Sequence, residues 1–122
     1  MQKDYVMVRQ STNRQSPRGN RIAAKVQTIV AEILRDKYMD DVVLKSVSLT
    51  GADAHGGLSF VRLFYDTALE PAIVQARLDE VLKSVRFELA ARIDQKYVPE
   101  IQFKYDDTAA RASRIEELLK NL

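Results

Sequence analysis

Six basic residues crowd one end of this 122-residue chain: Lys3, Arg9, Arg14, Arg18, Arg21 and Lys25 stand against Asp4 alone in residues 1–27. That end carries +5 while the whole chain carries +2, so everything after it sums to −3. Cations at this density attract polyanions, and arginine adds a planar fork that matches phosphate oxygens. Arg18, Arg21 and Lys25 follow one another at spacings of three and four. On a helix that spacing puts them on one face, where they can follow a single phosphate backbone. The plainer reading of the first residues is a polar, solvated tail.

A second set of basic residues, Arg86, Arg92 and Lys96, follows the polar side of a long amphipathic stretch and the loop after it. The pattern makes them solvent-accessible and available to an RNA backbone, with local pairing of Arg86 to an acid as the competing account. Phe60, Arg62 and Phe64 alternate with Val61, Leu63 and Tyr65. Aromatic rings beside a guanidinium on one strand face can stack bases, although the same face can equally be covered by other elements.

Other chemistries have little to work with. The chain has no cysteine and one histidine, His55, which excludes disulfides, thiolate chemistry and a histidine-based metal cluster. Asp53 and His55 share a glycine-rich stretch without a third ligand or a nucleophile, and a polar turn accounts for them. Asp106 with Asp107, and Glu116 with Glu117, are sequence neighbours whose side chains point apart on a strand or helix. The expectation is a protein that is not an enzyme and uses no cofactor or metal.

These residues need elements to hold them. Met1 to Pro17 is polar and without apolar periodicity beyond Tyr5 to Val8, which predicts a flexible basic arm over 1–17 ahead of one domain over 18–122. Ile22, Val26, Ile29, Val30, Ile33 and Leu34 recur at three and four and predict a first helix, with Asn20 as its cap. Val42 to Thr50 is rich in β-branched residues and predicts a strand. Gly51 to Gly57 reads as a turn, and Leu58 to Asp66 as the second strand of a hairpin. Glu70 and Pro71 open a helix whose apolar stripe reaches Ile93, either as one piece or as two with a bend near Ser84. Pro99 ends helical structure, and Ile101, Phe103 and Tyr105 then alternate with polar residues as a third strand. Thr108 caps a last helix whose Ile115, Leu118, Leu119 and Leu122 form a buried side. The order α-β-β-α-β-α, with the long helix optionally kinked, predicts an α+β fold whose three-stranded sheet is covered by helices on one face.

The residues also carry a resemblance. Arg18 and Arg21 opening the first helix, KSVSLTGADAHGGLSFVRLFY across the hairpin, Arg86 on the long helix, and VPEIQFKYDD followed by RIEELL are together similar to the ribosome-binding factor A family over about residues 18 to 119. The VPEIQFKYDD stretch is the most specific part. The resemblance implies a type II KH-like domain without enzymatic activity. It further implies association with the small (30S) ribosomal subunit through its 16S rRNA, and help in late maturation of that RNA, including its 5′ end. Two features bear on how RNA is held. Where the family has a small-residue Ala-x-Gly step before the helix arginine, this chain has Val81, Leu82 and Lys83, and it has no GxxG loop of the kind that clamps nucleotides in ordinary KH domains. Basic side chains and shape are left to do the binding, with Arg14, Arg18, Arg21, Lys25, Arg86, Arg92 and Lys96 as the candidate contacts.

Composition is that of a globular domain, 46% hydrophobic and 30% charged. No apolar run approaches the length that spans a bilayer, and the first residues lack the apolar core of a signal peptide. A cytoplasmic monomer with no small-molecule substrate is the expectation. The rival function is a protein–protein adaptor of the same fold that makes no direct contact with RNA.

Overall fold

Proline at position 17 begins the first helix, where its missing N–H removes a donor that would have no intrahelical partner anyway. The computed structural model describes residues 17–55, 59–94, 96 and 98–122, with the side chains of 17 and 18 outside that description. Helix α1 (Pro17–Lys37) buries Ile22, Val26, Ile29, Val30, Ile33 and Leu34 as the periodicity predicts, together with Ala23. Asn20 is not its cap. It lies inside the first turn, because the proline at 17 already fixes the helical φ three residues earlier.

The first strand is displaced from its expected place. Val42–Lys45 forms a short helical turn, α2, and strand β1 runs Ser48–His55, through the stretch expected to be a turn. Asp41 is the physical reason. Its carboxylate accepts from the amides of Val43 at 3.0 Å and Leu44 at 2.9 Å, so the turn is capped and Leu44 is carried into the core against the β propensity of its valine neighbours. A β-bulge then resets the strand. Leu49 faces Tyr65 and Gly51 faces Phe64, leaving Thr50 as the extra residue, so that Ala52 and Ala54 turn inward opposite Leu63 and Val61.

Strand β2 (Phe60–Asp66) is central, antiparallel to β1 on one side and parallel to β3 (Glu100–Tyr105) on the other. On the core face Val61 lies beside Ile101, Leu63 beside Phe103, and Tyr65 beside Tyr105, whose rings meet edge-on at 5.8 Å. Helices α1 and α3 (Pro71–Arg92) cover this face. Glu70 and Pro71 open α3 as expected, and Val74, Leu78, Val81, Val85 and Leu89 are its buried side. It is one uninterrupted helix of 22 residues, so the two-helix alternative is not adopted at Val81 to Ser84. Tyr38 with Ser84, Lys37 with Glu88 and Asp36 with Arg92 join the two helices in antiparallel order.

The last helix departs most from expectation. In α4 (Thr108–Lys120) no residue is buried, and Ile115, Leu118, Leu119 and the following Leu122 all face solvent. It packs on no other described element. With the inner face of the sheet already sealed by α1 and α3, the end of β3 offers α4 no apolar surface. Its entry is held by Asp106, whose carboxylate accepts from both the amide and the hydroxyl of Thr108.

Candidate nucleic-acid interface

Helix α1 presents Arg21 and Lys25 one turn apart on its exposed side. No acid occupies its first turn, and neither side chain has an ion-pair partner among the described residues. The positive end of the helix dipole points the same way, so this end of α1 is an uncompensated cationic surface. Arg14 and the side chain of Arg18 lie outside the described residues.

The basic residues of α3 are placed differently. Arg86 donates from Nε to the carbonyl of Pro99 at 3.2 Å and from Nη2 to that of Val98 at 3.1 Å, and pairs with Glu100 at 3.1 Å. Arg92 bridges Glu88 at 3.3 Å and Asp36 at 3.2 Å. Both are partly exposed and both are committed to partners within the chain, which is the local-pairing account stated for Arg86 above. Lys96 is exposed in the loop between α3 and β3 and has a contact of its own. Nor do the two basic sets converge along α1. Arg92 pairs with Asp36, and at 1.5 Å per residue Asp36 lies about 16 Å along the helix from Lys25.

On the sheet, Phe60, Arg62 and Phe64 face away from the helices and are half-buried. Asp53 stands directly across from Arg62 but bonds to Nε2 of His55 at 2.8 Å instead. That pair is exposed and has no third group. Among the described residues no group of three or more His, Cys, Asp or Glu is arranged to hold a metal ion. Glu100, on the same face, is drawn off by Arg86. Among the described residues Arg62 and Lys104 have no acidic partner, and the Nε of Arg62 is buried with no hydrogen-bond partner.

Sequence reasoning did not single out Gln102 or Phe87. Gln102 lies beside Arg62 only because β3 pairs in parallel with β2. Phe87 is 78% exposed on α3, and the sole signal for it is that it falls between Val85 and Leu89, off their apolar stripe.

Among the described residues, a three-stranded mixed sheet with a parallel third strand and helices on one face define a small KH-like α+β domain. The family model for ribosome-binding factor A matches residues 18–119, and the chain belongs to that family. It is 36% identical over 109 residues to ribosome-binding factor A of Limosilactobacillus reuteri, covering 86% of this chain and 91% of the relative. Its fold is similar to the crystal structure of ribosome-binding factor A from Thermus thermophilus, with a TM-score of 0.64 at 15% identity over 71% of this chain and 94% of that one. It is also similar, with a TM-score of 0.63 at 14% identity over 74% of this chain and 97% of the other, to a Thermus thermophilus ribosome-binding factor A homology model fitted into the cryo-EM map of a 30S complex. Among the described residues no helix is long and apolar enough to cross a membrane.

Proposed function

We propose that this protein binds the small ribosomal subunit through 16S rRNA and assists late maturation of that RNA, including its 5′ end, without catalysing a step. The observation that carries the reading is the uncompensated pair Arg21 and Lys25 at the exposed start of α1. The 30S complex of the Thermus relative supports the choice of subunit. Arg18, one turn before Arg21, and Arg14 add contacts to the same RNA, and Lys96 adds one from the α3–β3 loop. Arg86 and Arg92 act mainly by fixing that loop and α3, since each must leave an internal partner to meet a phosphate. The protein works as a cytoplasmic monomer.

The test is co-sedimentation of an Arg18→Ala, Arg21→Ala, Lys25→Ala variant with purified small subunits at two salt concentrations. Binding should weaken several-fold or more, and the salt slope should flatten by about two to three, since each of the three phosphate contacts contributes roughly 0.7 to 0.9. The thermal midpoint should stay where it is. Unaltered co-sedimentation rejects the assignment. The exposed apolar side of α4 favours a second reading, an adaptor that docks a protein, and nearly salt-independent binding would identify it.

A further inference from the structure

We propose that the sheet face turned away from the helices is a second RNA site, taking an unpaired nucleotide whose base stacks on Phe64 and whose phosphate is held by Arg62 and Lys104. This rests on the reading that the partner is RNA, and adds a site on the far side of the sheet from Arg21 and Lys25.

The pairing register builds the site. Across the three strands Gly51, Phe64 and Lys104 form one row, and Asp53, Arg62 and Gln102 the next. Gly51 leaves one flank of Phe64 bare, and a methyl group added there would meet no atom within 4 Å. On the other flank Lys104 is the register partner of Phe64. An aromatic ring with open space on one side and a cation on the other accepts a flat, anionic ligand, which is the shape of a nucleotide.

Charge points the same way. Of the acids on this face, Asp53 bonds to His55, Glu100 pairs with Arg86, Asp66 accepts from the Thr67 amide and Asp106 accepts from Thr50 and Thr108, so that among the described residues none forms an ion pair with Arg62 or Lys104. Arg62 lines a shallow depression of about 570 Å³ with Gln102 and Lys104 that reaches the free edge of β3. Its buried Nε has no acceptor among the described residues. No ion pair joins the guanidinium to Asp53, its register partner, so the part of Arg62 that lines the depression can take an acceptor from outside. Stacking requires an unpaired base, so the ligand is single-stranded.

The probe is a fluorescein-labelled single-stranded RNA octamer, read by anisotropy, with the same sequence as a duplex for comparison. Two variants address the site by different routes: Arg62→Gln with Lys104→Gln removes the charge, and Gly51→Val fills the open flank in a strand that has room for it. Each should weaken octamer binding about ten-fold while shifting the thermal midpoint by no more than a few degrees, and the parent should prefer octamer over duplex. Full octamer affinity in both variants overturns the proposal. So does loss of small-subunit binding with octamer binding intact, which would make this face a protein-docking surface. If Arg21→Ala with Lys25→Ala leaves subunit binding unchanged while the sheet variants lose the octamer, the α1 assignment falls and this site stands.

Discussion

Arg86 Nε lies 3.2 Å from the carbonyl oxygen of Pro99, and through this bond the long helix holds the residue just before the third strand. The adjacent bond to Val98 and the pair with Glu100 make the guanidinium a clasp on the loop between α3 and β3. Pro99 is buried, so its carbonyl depends on the protein for a donor. Arg86→Ala should therefore lower the thermal midpoint by several degrees. A charge-assisted bond is worth about 1.5–3 kcal/mol, and the low end applies to a side chain that is 38% exposed. Arg86→Lys should recover little, because an ammonium cannot present the same fork to two carbonyls. Thermal unfolding followed by circular dichroism, beside subunit co-sedimentation, separates this role from direct RNA contact. A variant that melts like the parent but binds subunits poorly would assign Arg86 to RNA.

Asp41 gives a prediction with a sign in pH. The Leu44 amide above all, together with the Arg77 guanidinium at 2.8 Å, outweighs burial and holds its carboxyl below the usual carboxylate range. A depressed folded-state value means that the stabilisation is fully present above the unfolded value near 4 and is lost as pH falls through the folded one. Asp41→Ala should destabilise by about 1 kcal/mol at neutral pH, the usual cost of removing an N-cap. The gap between parent and variant should narrow progressively as pH falls below about 4. Urea titrations at pH 7 and pH 3 measure it, and an equal gap at both would show that the carboxylate charge is not what caps α2.

That cap is also where the sequence reading failed. Val42, Val43 and Val47 favour a strand, and the Asp41 cap on the Val43 and Leu44 amides, steadied by Arg77 36 residues away, turns the segment into helix before the strand begins. The bulge at Thr50 was equally hidden, since it exists only opposite Tyr65 and Phe64. The alternation in β2 and β3 and the stripes of α1 and α3 were legible, because burial on one face imposes a period that no partner needs to explain. At the candidate site, the uncompensated state of Arg21 and Lys25 was readable as a local charge excess. The engagement of Arg86 and Arg92 was not, because their acids lie on other elements.

Tyr65 carries the next prediction. Burial first, then the nearby charge of Asp79, pushes its phenol up to about 12, and its hydroxyl donates to Oε1 of Gln75 at 2.8 Å. Gln75 passes the connection on, donating from Nε2 to the Phe103 carbonyl at 3.0 Å on the free edge of β3. The folded-state value is raised, so this contribution is fully present below the unfolded value near 10 and is lost as pH rises towards 12. An ultraviolet titration should find a tyrosine that resists ionisation until the protein unfolds, and Tyr65→Phe should remove it. Ionisation of every tyrosine near pH 10 in the folded protein would contradict the assignment.

The opposite ends of the burial scale meet at the junction of β3 and α4. Phe103 is 3% exposed at the centre of the core face, and truncating such a side chain costs about 3–5 kcal/mol, a large part of the roughly 5–15 kcal/mol that holds a domain together. Phe103→Ala should lose its cooperative transition or shift it sharply downward. A few residues later, α4 exposes three large apolar side chains and packs on nothing else described. Its helix is therefore marginal by itself, since thirteen residues without a tertiary face are close to the length at which isolated helices melt. A chain ending at Arg111 keeps the Asp106 clasp on Thr108 and should unfold within about 0.5 kcal/mol of the parent. It should also lose helical circular dichroism in proportion to the residues removed, or by less if α4 is frayed in solution. If that truncation destabilised the domain by several kcal/mol, α4 would have to pack on the sheet or on α3 in solution, and the buried apolar side expected from its leucine spacing would be correct after all.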